Sequence, residues 1–445
     1  MIPLRRALRL GSAPQVALVG AGGKSSAIFT LARQFDRPVL VTTSTHLSVF
    51  QANSGDMRSI VSNLGDLKAL SETVLHGVIV VTGQDKSEDR VTGPNDEMFQ
   101  ALSDFARKNS LPLLIEADGA RLRALKAPAD HEPAIPNFVD AVVVTAGLSA
   151  LSKPLMDDRV HRPERFAELS DLQMGDEITQ QALSSVLLHE EGGLKNIPQS
   201  ARRIALLNQA DTPELEAAAS GLSRILLSSY DAVWVASLLN SPDLSAVHEP
   251  VAGILLAAGG SERLGQPKAL MYWKGKSFVR QVAETSLAAK LDPVIVVTGS
   301  DAETIEAELL GLPVTILRNE DWQHGQSSSV KAGIAALPAG VGAALFMVVD
   351  QPQLSVPLIE QLIAEHTHSL APIIAPLVDG HHTNPVLFDR STFPDFSTLD
   401  GDVGGRAIFS RYKIHWLPWL DSSLAIDVDT PEDYSRLINT IGPSQ

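Results

Sequence analysis

The sequence predicts an α/β protein of two domains in tandem. Three observations carry that expectation. Short apolar runs alternate with longer helical patterns along nearly the whole chain. The runs, at 15–20, 38–42, 77–82, 111–116, 141–145, 203–207, 253–257, 293–298, 343–349 and 371–376, are rich in Val, Ile and Leu and do not alternate with polar residues. That is the pattern of parallel strands buried on both faces. Finally, a strand running into a glycine-rich turn occurs twice, once near residue 20 and again near residue 259.

The chain has 445 residues, enough for two to four domains. Hydrophobic residues make up 44% and charged residues 20%, an ordinary globular balance. The polar, Pro- and Ser-bearing stretch 238–250 reads as the boundary, giving domains 1–245 and 246–445, with a weaker break at 151–164. The N-terminal residues 1–12, with Arg5, Arg6 and Arg9, read as a short amphipathic helix rather than a signal peptide.

Several function classes drop out on composition. The formal net charge of −16 argues against a nucleic-acid binder. The absence of cysteine excludes disulfides, thiolate metal sites and a cysteine nucleophile. No apolar run approaches the ~20 residues of a membrane span, so a cytoplasmic protein is expected.

In the first domain a strand enters Gly20-Ala21-Gly22-Gly23-Lys24-Ser25-Ser26 and then an apolar helix. Glycines Gly20, Gly22 and Gly23 let backbone N–H groups face a phosphate. Lys24 adds a mobile cation, and Ser25 or Ser26 a hydroxyl for Mg2+. This is a shortened P-loop, because Leu18 stands where the longer motif has its first glycine. It is similar in spacing to the loop of Mur ligases.

Strand 113–115 ends in Glu116-Ala117-Asp118, which reads as a metal-side acidic pair, with Arg121, Arg123 and Lys126 close behind. Arg159, His161 and Arg162 form a compact cationic group, and the hydroxyls of 42–45, before His46, end another strand. Asn208-Gln209-Ala210-Asp211 resembles the guanine-reading segment of GTPases, with Gln in place of the usual Lys.

In the second domain the strand end Leu256-Ala257 enters Ala258-Gly259-Gly260-Ser261-Glu262-Arg263, followed by Pro267-Lys268. Residues 251–280 hold Arg263, Lys268, Lys274, Lys276 and Arg280 against the single acid Glu262. A basic glycine-rich turn in an acidic domain suits a small polyanion such as a nucleoside triphosphate. Strand 345–349 ends at Asp350, where open α/β sheets bind ligands. Asp427 and Asp429, two apart, face one side of an extended segment. Thr430-Pro431-Glu432-Asp433 reads as an ordinary helix start. Two separated carboxylates suit Mg2+, which keeps waters and bridges phosphates.

The segments LAAGGSERLGQPKAL, DQPQ and IDVDTPEDY together resemble the MobA-like nucleotidyltransferases, and within them the MocA-like molybdenum cofactor cytidylyltransferases. The resemblance covers about 251–441. It implies a Rossmann-like nucleotidyltransferase fold and transfer of CMP from CTP to molybdopterin, with release of pyrophosphate. It assigns Gly259, Gly260, Arg263 and Lys268 to the triphosphate, and Asp350 and Asp429 to Mg2+. Leu256, Ala257, Ala258, Ser328 and Ser329 go to the nucleotide pocket. Ala258 matches the cytidine-using branch. His382-Thr383-Asn384-Pro385 departs from the relatives' acceptor segment, and 401–406 is the candidate acceptor-phosphate loop.

GAGGKSS, TTSTHL, IEADGARLRALKAPADHEP and VHRPE resemble the YqeC-like family, accessory proteins of selenium-dependent molybdenum hydroxylases. That resemblance spans about 10–240. It implies an NTP-binding α/β domain and little more; ATP or GTP is the expected nucleotide, and a molybdenum hydroxylase apoenzyme the expected partner. The candidate site is Glu116, Asp118 and His161 beside the glycine loop. Two alternatives stay open: transfer to a sugar or alcohol phosphate, and a cofactor-delivery role for the first domain.

Overall fold

The computed structural model describes residues 1–259 and 266–440. Gly260 and Arg263, assigned above to the triphosphate, lie outside the described residues. The chain divides between His248 and Glu249 into two compact units.

In the first unit the strands are β1 (Gln15–Gly20), β2 (Val39–Thr43), β3 (Met57–Ile60), β4 (Val78–Thr82), β5 (Leu113–Glu116), β6 (Ala141–Gly147), β7 (Arg202–Asn208), β8 (Ala232–Ala236) and β9 (Asp243–His248). Their order is β9-β8-β7-β6-β1-β5-β2-β4-β3, with the two-residue strand Ile2–Pro3 outside β9. From β8 to β3 every neighbouring pair is parallel. Val16, Ala17, Leu18 and Val19 of β1 are all buried, because helices cover both faces. Gln15, also buried, exchanges hydrogen bonds with Ser103, so it leaves no unpaired group in the core.

Two segments carry more structure than the sequence reading gave them. Part of the 238–250 stretch is β9, antiparallel to β8 and to Ile2–Pro3. The alternation Asp243-Leu244-Ser245-Ala246 carried that signal at period two. The N-terminal helix is only Leu4–Ala7. Ile2 instead pairs with Leu244, and Ile2, Leu4, Ala7 and Leu8 are buried. An apolar segment with a free sheet edge beside it gains more by pairing and packing than by a lone short helix.

In the second unit the strands are β10 (Val251–Ala257), β11 (Val294–Thr298), β12 (Thr315–Arg318), β13 (Ala343–Val348), β14 (Ile373–Val378), β15 (Val386–Asp389) and β16 (Ile414–Pro418). The order is β12-β11-β10-β13-β15-β14, with β16 parallel to β14. β10, β11, β12 and β13 are parallel. The sheet is mixed rather than all parallel, since β15 runs antiparallel to both β13 and β14. A run buried on both faces carries no mark of its direction, so the sequence pattern was silent on this reversal. β10 lies at the middle of the parallel part, and its carboxyl end adjoins that of β13 at the pair Leu256–Val348. The two motif-bearing loops therefore leave the sheet side by side.

Candidate functional site

In the second unit Lys268 sits between two acids. Its Nζ is 3.1 Å from Asp350 Oδ2 and also bonds Asp429 Oδ1. Asp350 lies two residues beyond β13, and Lys268 begins a short helical turn after Pro267. Asp350 Oδ1 is buried and has no hydrogen-bond partner among the described residues. Burial pushes the Asp350 carboxyl above its ordinary value; Lys268 pulls it back and Asp429 pushes it further up. Burial likewise raises Asp427, with the charge of Asp350 adding to it. For Lys268 burial opposes the charge, but Asp350 and Asp429 outweigh it and the ammonium is held above its ordinary value.

The sequence reading missed what holds this cluster. Gln351 is 2% exposed, and its Nε2 donates to Asp427 Oδ1 at 2.6 Å, Thr383 Oγ1 at 2.9 Å and the Leu424 carbonyl at 3.2 Å. Gln353 Nε2 donates to the carbonyls of Ile426 and Ser423, at 2.8 and 3.0 Å. The Val428 amide donates to the Asp350 carbonyl at 3.1 Å. The two glutamines of DQPQ thus fasten the late acidic segment to the end of β13. The spacing D-Q-P-Q is the signal that was available. Thr430 and Asp433 cap the helix Pro431–Thr440, as expected of that helix start.

Ala258 is buried, Gly259 is exposed, and Gly299 approaches Ala258 and Trp322. Asn319, just past β12, donates to the hydroxyls of Ser328 and Ser329 at 2.8 and 3.0 Å. Ser327 N donates to the Gly401 carbonyl at 3.2 Å, so the 401–406 loop packs on the start of the helix Gln326–Ala335. The serine segment and the candidate acceptor loop are therefore neighbours.

In the first unit Gly20, Gly22 and Gly23 have φ of 91°, 82° and 123°. Any Cβ at Gly22 would lie 2.3 Å from the Gly147 backbone, and at Gly23 2.2 Å from Asn208 Nδ2. Glycine is required on both counts. Gly23 precedes the helix Lys24–Ala32. Lys24 is 5% exposed; its Nζ donates to the Gly20 carbonyl at 2.5 Å and pairs with Asp118 Oδ1 at 3.1 Å. It is not a solvated lysine beside a turn. Asp118, 2% exposed, also accepts from the Gly20 amide and from Lys126 Nζ, at 3.0 and 2.8 Å. Ser25 Oγ donates to Glu116 Oε2 at 3.2 Å, and Gln51 Nε2 bonds both residues. Burial raises the Glu116 carboxyl, opposed by Lys24. Gln51 was not anticipated; nothing in its sequence surroundings marks it. Ser26 lies beside Ser25 in the helix, half-buried.

The basic group is corrected. Lys126 is not a free anion ligand, since it is buried between Asp118 and Glu132. Arg162 grips Glu132 with two hydrogen bonds, 2.8 and 3.1 Å. Burial works against the Glu132 charge, yet bonds from Arg162 and Lys126 hold its pKa down at about 2. His161 stands on the two-residue strand beside Leu125–Lys126. Burial, then the cations Arg162, Lys126 and Arg121, lower its pKa to about 4, so it is a neutral imidazole at pH 7 rather than a third cation. Glu132 is what the sequence reading lacked.

A glycine turn at the end of β1 beside the buried Lys24–Asp118 pair, and a partly exposed Asp350–Lys268–Asp429 cluster past the end of β13, define a protein of two α/β domains, each with a lysine–carboxylate site at its sheet edge. Residues 16–164 match the family model described as YqeC protein, and residues 253–415 that of the MobA-like NTP transferase domain. The chain belongs to the YqeC family in its N-terminal half and to the MobA-like NTP transferase family at its C-terminus.

Among curated proteins it is 37% identical to nicotine blue oxidoreductase of Paenarthrobacter nicotinovorans, over 42% of this chain and 96% of that protein. It is 31% identical to the uncharacterized protein YqeC of Escherichia coli, over 52% of this chain and 90% of that one. A probable molybdenum cofactor guanylyltransferase of Bacillus cytotoxicus is 31% identical, over 42% and 96%. Among the described residues no helix is long and apolar enough to cross a membrane.

Proposed function

We propose that the second unit transfers CMP from CTP to molybdopterin, releasing pyrophosphate, and that the first unit binds ATP or GTP in a linked cofactor- or selenium-handling step for a molybdenum hydroxylase. The observation that carries the transferase reading is the Asp350–Lys268–Asp429 cluster at the carboxyl edge of β10 and β13. Support for molybdopterin as acceptor comes from the relative named a probable molybdenum cofactor guanylyltransferase. Support for cytosine over guanine is Ala258 at the turn.

The residues fit Mg2+. Among the described residues no three His, Asp or Glu side chains gather to hold a metal alone. Two carboxylates, one with a buried and unpartnered oxygen at Asp350 Oδ1, suit a cation whose shell substrate phosphates and water complete. Asp350 and Asp429 would hold it, and it would supply charge stabilisation at the α-phosphoryl group. Lys268 spans both acids through its ammonium, and in the reaction it would turn to the triphosphate. The acceptor phosphate oxygen attacks the α-phosphorus in line; the bond to the β-phosphate oxygen breaks and pyrophosphate leaves. Gln351 and Gln353 keep the acidic segment in register with the turn.

Pyrophosphate release, measured with each NTP with and without molybdopterin, tests this reading. Release that needs both CTP and molybdopterin is expected. Release with GTP alone would reassign the base, and release only with a sugar phosphate would reassign the acceptor.

A further inference from the structure

Asn208, Gln209, Ala210 and Asp211 have no part in the reading so far. Asn208 is 3% exposed and uses both ends of its amide on backbone. Its Nδ2 donates to the Gly22 carbonyl at 2.7 Å, and its Oδ1 accepts from the Leu238 amide at 3.1 Å. A single side chain thus clamps the phosphate-type loop to the loop after β8. The Ala210 amide adds a bond to the Ala236 carbonyl at 3.0 Å.

Asp211 is held by the same loop. The Ser237 hydroxyl donates to its Oδ1, and Asn240 Nδ2 lies 3.4 Å from that oxygen. Both bonds fall on Oδ1, so the carboxylate is oriented while Oδ2 keeps its lone pairs. Asp211 is exposed, as a group that meets a ligand must be.

The placement suits a nucleotide. β7, β6 and β1 are adjacent and parallel, so the Asp211 loop and the glycine loop leave one edge of the sheet. Two strand spacings separate them, about 10 Å, the reach from the phosphates of a nucleotide to its base. Between them β6 ends in Gly147, where a Cβ would lie 2.3 Å from Gln209 Oε1. Gln209 lies across that glycine and accepts from Ser149 Oγ at 2.5 Å. Leu239, two residues past Ser237 in the loop that holds Asp211, is 82% exposed, an apolar side chain open to a base.

We propose that the first unit selects guanine nucleotides, with the Asp211 carboxylate reading the base. The inference rests on the nucleotide-binding reading of that unit. An ionised carboxylate only accepts hydrogen bonds. Guanine offers it two adjacent donors, the ring N1–H and the exocyclic amino N–H. Adenine offers an unprotonated ring nitrogen at that position, whose lone pair the carboxylate repels. Gln209, in the lysine position of the motif, keeps the stem that covers Gly147 without adding charge.

The test is calorimetry on the full chain with GDP, ADP and xanthosine diphosphate, for wild type, Lys24→Met and Asp211→Asn. Binding that Lys24→Met removes belongs to the first unit. That component is expected to favour GDP over ADP by at least about tenfold. Asp211→Asn should weaken GDP by a similar factor and strengthen xanthosine diphosphate, because the amide donates to the extra carbonyl of xanthine. Equal GDP and ADP binding in that component, or an unchanged preference in Asp211→Asn, would overturn guanine selection and leave nucleotide binding standing. Absence of any Lys24-dependent component would overturn both. Asp211 lies outside the core, so an unchanged melting temperature is the expected control.

Discussion

Lys268 Nζ and Asp350 Oδ2 lie 3.1 Å apart although 82 residues separate them in the chain. The pair exists because β10 and β13 are parallel neighbours whose turns leave the same edge. In the proposed reaction this pair meets a phosphate and its metal, and it sets the first prediction.

Asp350→Asn keeps the shape and removes the charge. Turnover should fall by about 100- to 1000-fold, with the melting temperature little changed, because Asp350 lies past the end of its strand and asparagine keeps its shape. Steady-state pyrophosphate release and thermal unfolding of the same preparation check it. Near-normal turnover would remove Asp350 from the reaction.

Gln351→Ala acts through position. It strips the donor from Asp427, Thr383 and the Leu424 carbonyl at once, and should cost about 1–3 kcal/mol of stability. Turnover should fall while the KM for the NTP changes less. Unaltered kcat would mean that the 421–429 segment holds its place without the glutamine.

Lys24→Met should abolish nucleotide binding by the first unit and leave pyrophosphate release by the second largely intact. Lys24 is buried against Asp118, but Asp118 keeps Lys126 as a partner, so the chain should still fold. A parallel loss of transfer activity would reveal coupling between the units.

His161 sets a pH dependence. Its folded pKa, about 4, lies below the ordinary value of 6.5. Between those values the unfolded chain binds a proton that the folded chain refuses, so stability falls as pH drops from 6.5 towards 4. Part of the ring is exposed, and solvent screening makes the effect smaller than the full shift implies. His161→Gln should narrow the difference in melting temperature between pH 7 and pH 5. An identical difference in both proteins would rule His161 out as its source.

The ten apolar runs read from sequence all overlap strands of the two sheets, since burial on both faces leaves a continuous Val, Ile and Leu record. Both glycine turns, and the acids Glu116, Asp118 and Asp350, were legible because they end or directly follow those runs; Asp429 was legible from the Asp427-Val428-Asp429 spacing instead. Pairing was not. Nothing local tells that Glu132 neutralises Arg162 and Lys126, that Gln51 joins Ser25 to Glu116, or that Gln351 holds Asp427. Each contact joins elements that adjoin only once the strand order is set. Strand order and direction depend on which faces bury one another, a property of the assembled core and not of any segment. The sequence by itself determined which residues carry charge and where the chain turns; the tertiary structure decided which charges face each other, and so which cations remain available for a phosphate.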